Sequence, residues 1–212
     1  MRQSAQTNRT RILEAAYALF YARGYFRVGV EEIAAAAGIT KRTLYSHFDS
    51  KDALIAAVMQ RQHELAQPMI ERWAKSLSGA SPEGIDRLFT ELSDWAAKPR
   101  WAGAGFTRIA MELADLRGHP ARVIARKHKL AIEVRLAHAL DSAQAATELM
   151  LLLEGTMAML IISGDRRYAE AAAVLAKRLV GNVAGKPSTA TPAPAADSRR
   201  RARSRYAGAV RD

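Results

Sequence analysis

Helical periodicity runs through almost the whole of this 212-residue chain, and no stretch reads convincingly as a strand. Ile12, Ala16, Leu19 and Phe20 fall at i, i+4, i+7 and i+8, one face of a first helix that Gly24 should stop. A second helix is expected over 30–38, with Glu31 and Glu32 in its first turn. Thr40 can cap a third over 41–48, and Ser50 a fourth that begins at Lys51 and that Pro68 should bend. Ser81-Pro82 opens a fifth helix, which Pro99 closes. The pattern continues with a sixth over 103–115, a seventh from Pro120 to Leu140, an eighth starting at Asp141 or Ser142, and a ninth over 165–181. The expected fold is therefore all-α, with about nine helices.

Charge divides the chain further. Residues 1–51 carry eight Lys/Arg against four Asp/Glu, and residues 186–212 seven against two, leaving the middle nearly balanced. Two basic ends around a neutral centre favour a polyanionic partner, nucleic acid ahead of a membrane surface. Residues 184–212, with their Pro, Ala, Ser and Arg, have the composition of a disordered basic tail. Its RRRARSR (199–205) could add nonspecific phosphate contacts. The chain has no cysteine, which excludes disulfides and thiolate chemistry. The N-terminus shows no apolar signal segment, and the apolar run at 149–164 is short of a membrane span and carries Glu154. A soluble, cytoplasmic protein that does not enter a membrane is expected.

The densest chemistry lies at 38–51, GITKRTLYSHFDSK. Gly38-Ile39-Thr40 is a short turn between two helices, the spacing of a helix-turn-helix. On a helical wheel Leu44 and Phe48 define the inward direction of the third helix. Ser46, Arg42 and Thr43 then face outward, flanked by Tyr45 and His47. Arg42 can pair with a guanine edge or a phosphate, and Thr43 can meet a thymine methyl. Tyr45 and His47 suit backbone oxygens, and Lys51 sits where the free amides of a helix start already favour an anion.

Residues 11–54 resemble the DNA-binding domain of the TetR family of transcriptional regulators. The resemblance rests on Ala15-Ala16, Leu19-Phe20, Gly24-Tyr25, Ile33-Ala34, Ala37-Gly38, Thr43-Leu44-Tyr45, His47-Phe48 and Lys51. It implies a helix-turn-helix domain over 1–51, whose third helix enters the major groove. Tyr45 and Lys51 would hold phosphates, with Thr40, Lys41, Arg42, Thr43, Ser46 and His47 around them. It also implies a helical domain over 52–183 that binds a small effector and forms a homodimer through its last two helices. One departure stands out. The family usually places Ser or Thr before the second helix, whereas this chain has Val28-Gly29, leaving Arg27 as the neighbouring candidate for a phosphate.

Large apolar residues of the middle helices, Trp95, Trp101, Phe106, Met111 and Met157, are the effector-pocket candidates, with Glu112 and His128 as the polar ones. No metal site is expected: His63-Glu64 lacks the second His of a zincin motif. No Gly-rich phosphate loop appears, no cofactor is called for, and no enzyme is expected. The expected function is a sequence-specific regulator, most readily a repressor released from a palindromic DNA operator by a small molecule. The alternatives are an effector-independent DNA-organising protein and an enzyme on a helical scaffold.

Overall fold

The computed structural model describes residues 2–184, and the basic tail beyond lies outside the described residues. Nine α-helices and no strand occur among them: α1 (Arg2–Arg23), α2 (Val30–Ala36), α3 (Lys41–Tyr45), α4 (Lys51–Leu77), α5 (Pro82–Ala96), α6 (Gly105–Glu112), α7 (Pro120–Leu140), α8 (Ala143–Ser163) and α9 (Arg167–Ala184). Local chemistry sets most ends. Gly24, at φ +91°, closes α1 in the left-handed region. The hydroxyls of Thr40, Ser50, Ser81 and Ser142 each accept from a backbone N–H three residues on, starting α3, α4, α5 and α8.

Two apolar cores lie along α4, whose 27 residues make a rod about 40 Å long. The first joins α1–α3 (Ile12, Phe20, Ile33, Leu44) to Leu54 and Val58 of α4, Ile109 of α6 and Ala121 of α7. The second packs Ile70 and Leu77 of α4 with Phe89 of α5, Leu136 of α7, Leu149 of α8 and Ala176 of α9. α4 thus connects the helix-turn-helix to the rest, and it stays continuous through Pro68.

Several helix ends differ from the sequence expectation, and α2 ends at Ala36 rather than 38. α3 ends at Tyr45 rather than 48, because the N–H groups of His47 and Phe48 both close onto the Leu44 carbonyl. This tight turn brings the chain round to Ser50, which must be extended to cap α4. α6 is shorter than 103–115, since Gly103 (φ +83°) is non-helical before it and Leu113 leaves helical geometry after it. α9 runs from Arg167 to Ala184 rather than over 165–181. α8, capped by Ser142, starts where the sequence places it and extends on both sides of Glu154. At 21 residues and mean hydropathy 1.7, it is long and apolar enough to cross a membrane by length and composition alone. Here it packs on α5, α7 and α9. Its outer face exposes Leu151 (68%) and Ile162 (76%), and α9 likewise exposes Leu175 (50%).

Candidate nucleic-acid interface and the cavity behind it

The helix-turn-helix is fixed from beneath. Gly38 turns the chain at φ +63°, and Lys41 forms an ion pair with Glu31 that ties the start of α3 to α2. Leu44 is fully buried and Phe48 nearly so, with the Arg9 guanidinium 5.2 Å from the Phe48 ring centre. The outer surface is left to Arg42, Tyr45 and Ser46, with Thr43 and His47 half-buried at its edge. Thr43 Oγ1 lies 2.9 Å from Thr40 Oγ1, and Ser46 Oγ donates to the Thr43 carbonyl at 2.7 Å. Arg42, Tyr45 and His47 form no side-chain hydrogen bond or ion pair among the described residues. Ser46 and His47 stand in the turn after α3 rather than on the helix.

Lys51 occupies the first turn of α4, where its ammonium donates to the Phe26 carbonyl at 3.1 Å. The loop before α2 is thereby held against the start of α4. Gly29 caps α2 without a side-chain bond, and Arg27 beside it is exposed. The candidate DNA-contact residues Arg27, Thr40–Thr43, Tyr45–His47 and Lys51 thus come from one small domain, but Lys41 and Lys51 also hold that domain together.

A polar seam joins this domain to α6. The Tyr25 backbone N–H donates to Glu112 Oε2 at 2.8 Å, and Glu112 lies 3.9 Å from Arg108. Arg108 donates to the Tyr21 carbonyl (2.8 Å) and the Ala102 carbonyl (3.1 Å). The Tyr21 hydroxyl accepts from the Ala102 N–H at 3.1 Å, and that of Tyr25 donates to Met59 Sδ at 3.2 Å. Burial pushes the Tyr25 phenol well above the ordinary tyrosine value, so the group stays a donor.

Behind the seam lies a cavity of about 220 Å³. Tyr17 and Tyr21 of α1 and Tyr25 form one wall, and Trp73, Trp95 and Phe106 lie among its other lining residues. Of the seven candidates picked from the sequence, Trp95, Phe106, His128 and Met157 line it. Trp101 does not; it packs edge-on against Trp95, ring centres 5.5 Å apart. Met111 points away and is 70% exposed, since α6 turns only a narrow face inward. Glu112 is spent on the seam. The sequence reading missed the three tyrosines, and for two of them the four-residue spacing of Tyr17 and Tyr21 on α1 was the available signal. It also missed Lys129 and Glu154, which form an ion pair in the wall.

His128 is sandwiched here. Phe106 stacks on it at 3.6 Å, and its Nδ1 lies 3.2 Å from Nδ1 of His63. Burial, then the charges of Lys129 and His63, push its pKa down to about 3, so the ring is neutral near neutral pH. Unfolding returns it to 6.5. The unfolded chain therefore binds more protons between those values, and stability falls as pH drops below 6.5, by up to about 1.4 kcal/mol per pH unit. Urea melts at several pH values between about 7 and 5 should show this slope flattened in His128→Leu relative to wild type. Equal slopes would mean that the imidazole is as protonatable folded as unfolded.

Among the described residues no three His, Asp, Glu or Cys groups gather as a metal site.

The geometry is a helix-turn-helix with an uncovered outer face, carried on an all-helical body with a cavity behind it. Residues 12–58 match the bacterial regulatory proteins of the tetR family. The match covers the helix-turn-helix domain and the first part of α4. It is similar to the HTH-type transcriptional regulator TtgR of Pseudomonas putida, 40% identical over 96 residues that cover 43% of this chain and 45% of TtgR. The matched region thus spans less than half the length of that relative. The fold extends further. A TetR-family transcriptional regulator from Streptomyces coelicolor, SCO4454, superimposes with a TM-score of 0.74 at 24% identity, covering 84% of this chain and 97% of its own. The multidrug binding protein EbrR, solved in complex with proflavin, has a TM-score of 0.58 at 23% identity, covering 81% and 99%.

Proposed function

We propose that this protein is a homodimeric, operator-binding transcriptional repressor of the cytoplasm, released from DNA by a small molecule held in the cavity. The observation that carries the reading is the pairing of two buried apolar pegs, Leu44 in α3 and Phe48 just after it, with an outer face of Arg42, Thr43 and Tyr45 that has no apolar cover. The pegs fix the helix, and the outer groups suit a major groove. In this reading residues 1–51 form the DNA-binding domain and 52–183 the effector and dimerisation domain. The exposed apolar faces of α8 and α9 meet their copies in a four-helix interface. Two α3 helices then reach successive major grooves, roughly 34–36 Å apart for a one-turn spacing.

Release requires the effector to prefer one of two arrangements, and a coupling of about 1–3 kcal/mol is typical. The route runs through the cavity wall. A ligand pressing on Tyr17, Tyr21 or Phe106 acts on α1 and on α6, and so on the seam that Glu112 and Arg108 make with the helix-turn-helix. The proposal assigns the protein no reaction.

Fluorescence anisotropy with duplex DNA from upstream of its own gene, against a scrambled duplex at the same salt, tests the reading. Tight binding to the upstream duplex alone is expected. Arg42→Ala should cost about 1–3 kcal/mol and relax the preference at one base position, and Lys51→Ala should weaken all sequences about equally. Uniform losses from both would remove Arg42 from base reading. Equal wild-type binding to both duplexes would favour a DNA-coating protein.

A further inference from the structure

The charged groups lining the cavity cancel. Its titratable lining residues are Tyr17, Tyr21, Tyr25, His128, Lys129 and Glu154. Glu154 has both carboxylate oxygens engaged: Oε1 with the Lys129 ammonium, and Oε2 with the Thr107 hydroxyl at 2.7 Å. Burial raises the Tyr17 and Tyr25 phenols above the ordinary tyrosine value, and His128 carries no charge near neutral pH. No unpaired charge therefore faces a guest. The remainder of the wall is aromatic and thioether-rich, with Trp73, Trp95, Phe106, Met59, Met69 and Met157. Two neutral polar groups in the wall, the Tyr17 hydroxyl and the Gln62 amide, have no hydrogen-bond partner among the described residues. The volume exceeds the ~150 Å³ of cavities that accept a benzene ring, which leaves room for a fused bicycle.

From this geometry we infer that the cavity selects an uncharged aromatic ligand bearing a hydrogen-bonding group, and that the Lys129–Glu154 pair sets this selection by cancelling charge inside the wall. The inference rests on reading the cavity as the effector site. An ionic guest must leave water, and here it meets a carboxylate and an ammonium that already satisfy each other, so nothing offsets its lost hydration. A cation would have to displace Lys129 from Glu154, and an anion would have to draw Lys129 away. A neutral aromatic stacks on the rings and bonds to Tyr17 or Gln62 with the pair intact. Removing one member should therefore redirect the preference toward ions of the removed member's sign.

Isothermal titration calorimetry on the full chain near neutral pH, with three bicycles of matched shape, tests this. The probes are 2-naphthol (neutral), 2-naphthylmethylammonium (cation) and 2-naphthoate (anion). Wild type should bind 2-naphthol at least about tenfold more tightly than either ion, a difference of about 1.4 kcal/mol. Lys129→Met, which unmasks Glu154, should raise the affinity for the cation relative to 2-naphthol by at least about tenfold. Glu154→Gln should do the same for the anion. The double variant, neutral again, should restore the wild-type order, and circular dichroism confirms that each variant is folded. An ion binding wild type as tightly as 2-naphthol overturns the inference while leaving the effector reading in place, and so does an order unchanged in folded single variants. Failure of all three probes to bind wild type overturns both.

Discussion

Gly84→Ala lowers the stability of the protein by about 2–3 kcal/mol, although alanine is the better helix former by about 1 kcal/mol. Gly84 lies in the first turn of α5, directly over the end of α4. A Cβ built there would stand 2.0 Å from the Ser76 carbonyl oxygen and 2.8 Å from its carbon. Both are backbone atoms, so no side-chain rotation relieves the overlap. Either α5 moves away from α4 or the last turn of α4 unwinds. Both would disturb the core in which Ile85, Leu88 and Phe89 are buried against Leu77. Gly118, with nothing within 4 Å of the corresponding position, is the control: Gly118→Ala should change stability by no more than about 0.5 kcal/mol. Urea melts of both variants decide the matter. A Gly84→Ala protein as stable as wild type would mean that the α4–α5 junction is looser than its packing indicates.

Leu44→Ala should cost about 2–5 kcal/mol and, unlike Arg42→Ala, should remove DNA binding for every sequence. Leu44 has no exposed surface, and α3 is only five residues long. So short a helix has almost no stability of its own. Its position depends on Leu44, on the Thr40 cap and on the Lys41–Glu31 pair. Losing the peg releases the whole outer face at once, including Arg42, Thr43 and Tyr45. Arg42→Ala removes one outward side chain and should leave the melting midpoint within about 0.5 kcal/mol of wild type. Melts combined with anisotropy on specific and scrambled duplexes separate the two effects. If Leu44→Ala kept a sequence preference, the buried peg would not be what orients α3.

The pairing of these two sites illustrates how differently parts of the molecule could be read in the chain. The helix-turn-helix was legible because its signals are local: a Gly turn, a Thr cap three residues before its partner amide, and two apolar residues four apart. Gly84 carried no such signal. A glycine near the start of a helix reads as a weak position, and only the approach of the Ser76 carbonyl makes it necessary. The cavity was partly legible. Aromatic residues such as Trp95 and Phe106 were found from their size, whereas Trp101 and Met111 share that size and lie outside the lining. Burial depends on which way a helix face turns, and α6 is too short for periodicity to decide it.

By itself the sequence determined the all-helical class, most helix starts and the outward chemistry of α3. Those features depend on hydrogen bonds and side-chain spacings within a turn or two of helix, so neighbouring residues suffice to specify them. Only the tertiary structure decided that three tyrosines of the first helix and its following loop would wall a cavity shared with α7 and α8. It alone set Glu112 against Tyr25, 87 residues away, and paired Lys129 with Glu154, 25 apart. Contacts at such separations follow from how whole helices pack around α4, which no local pattern encodes.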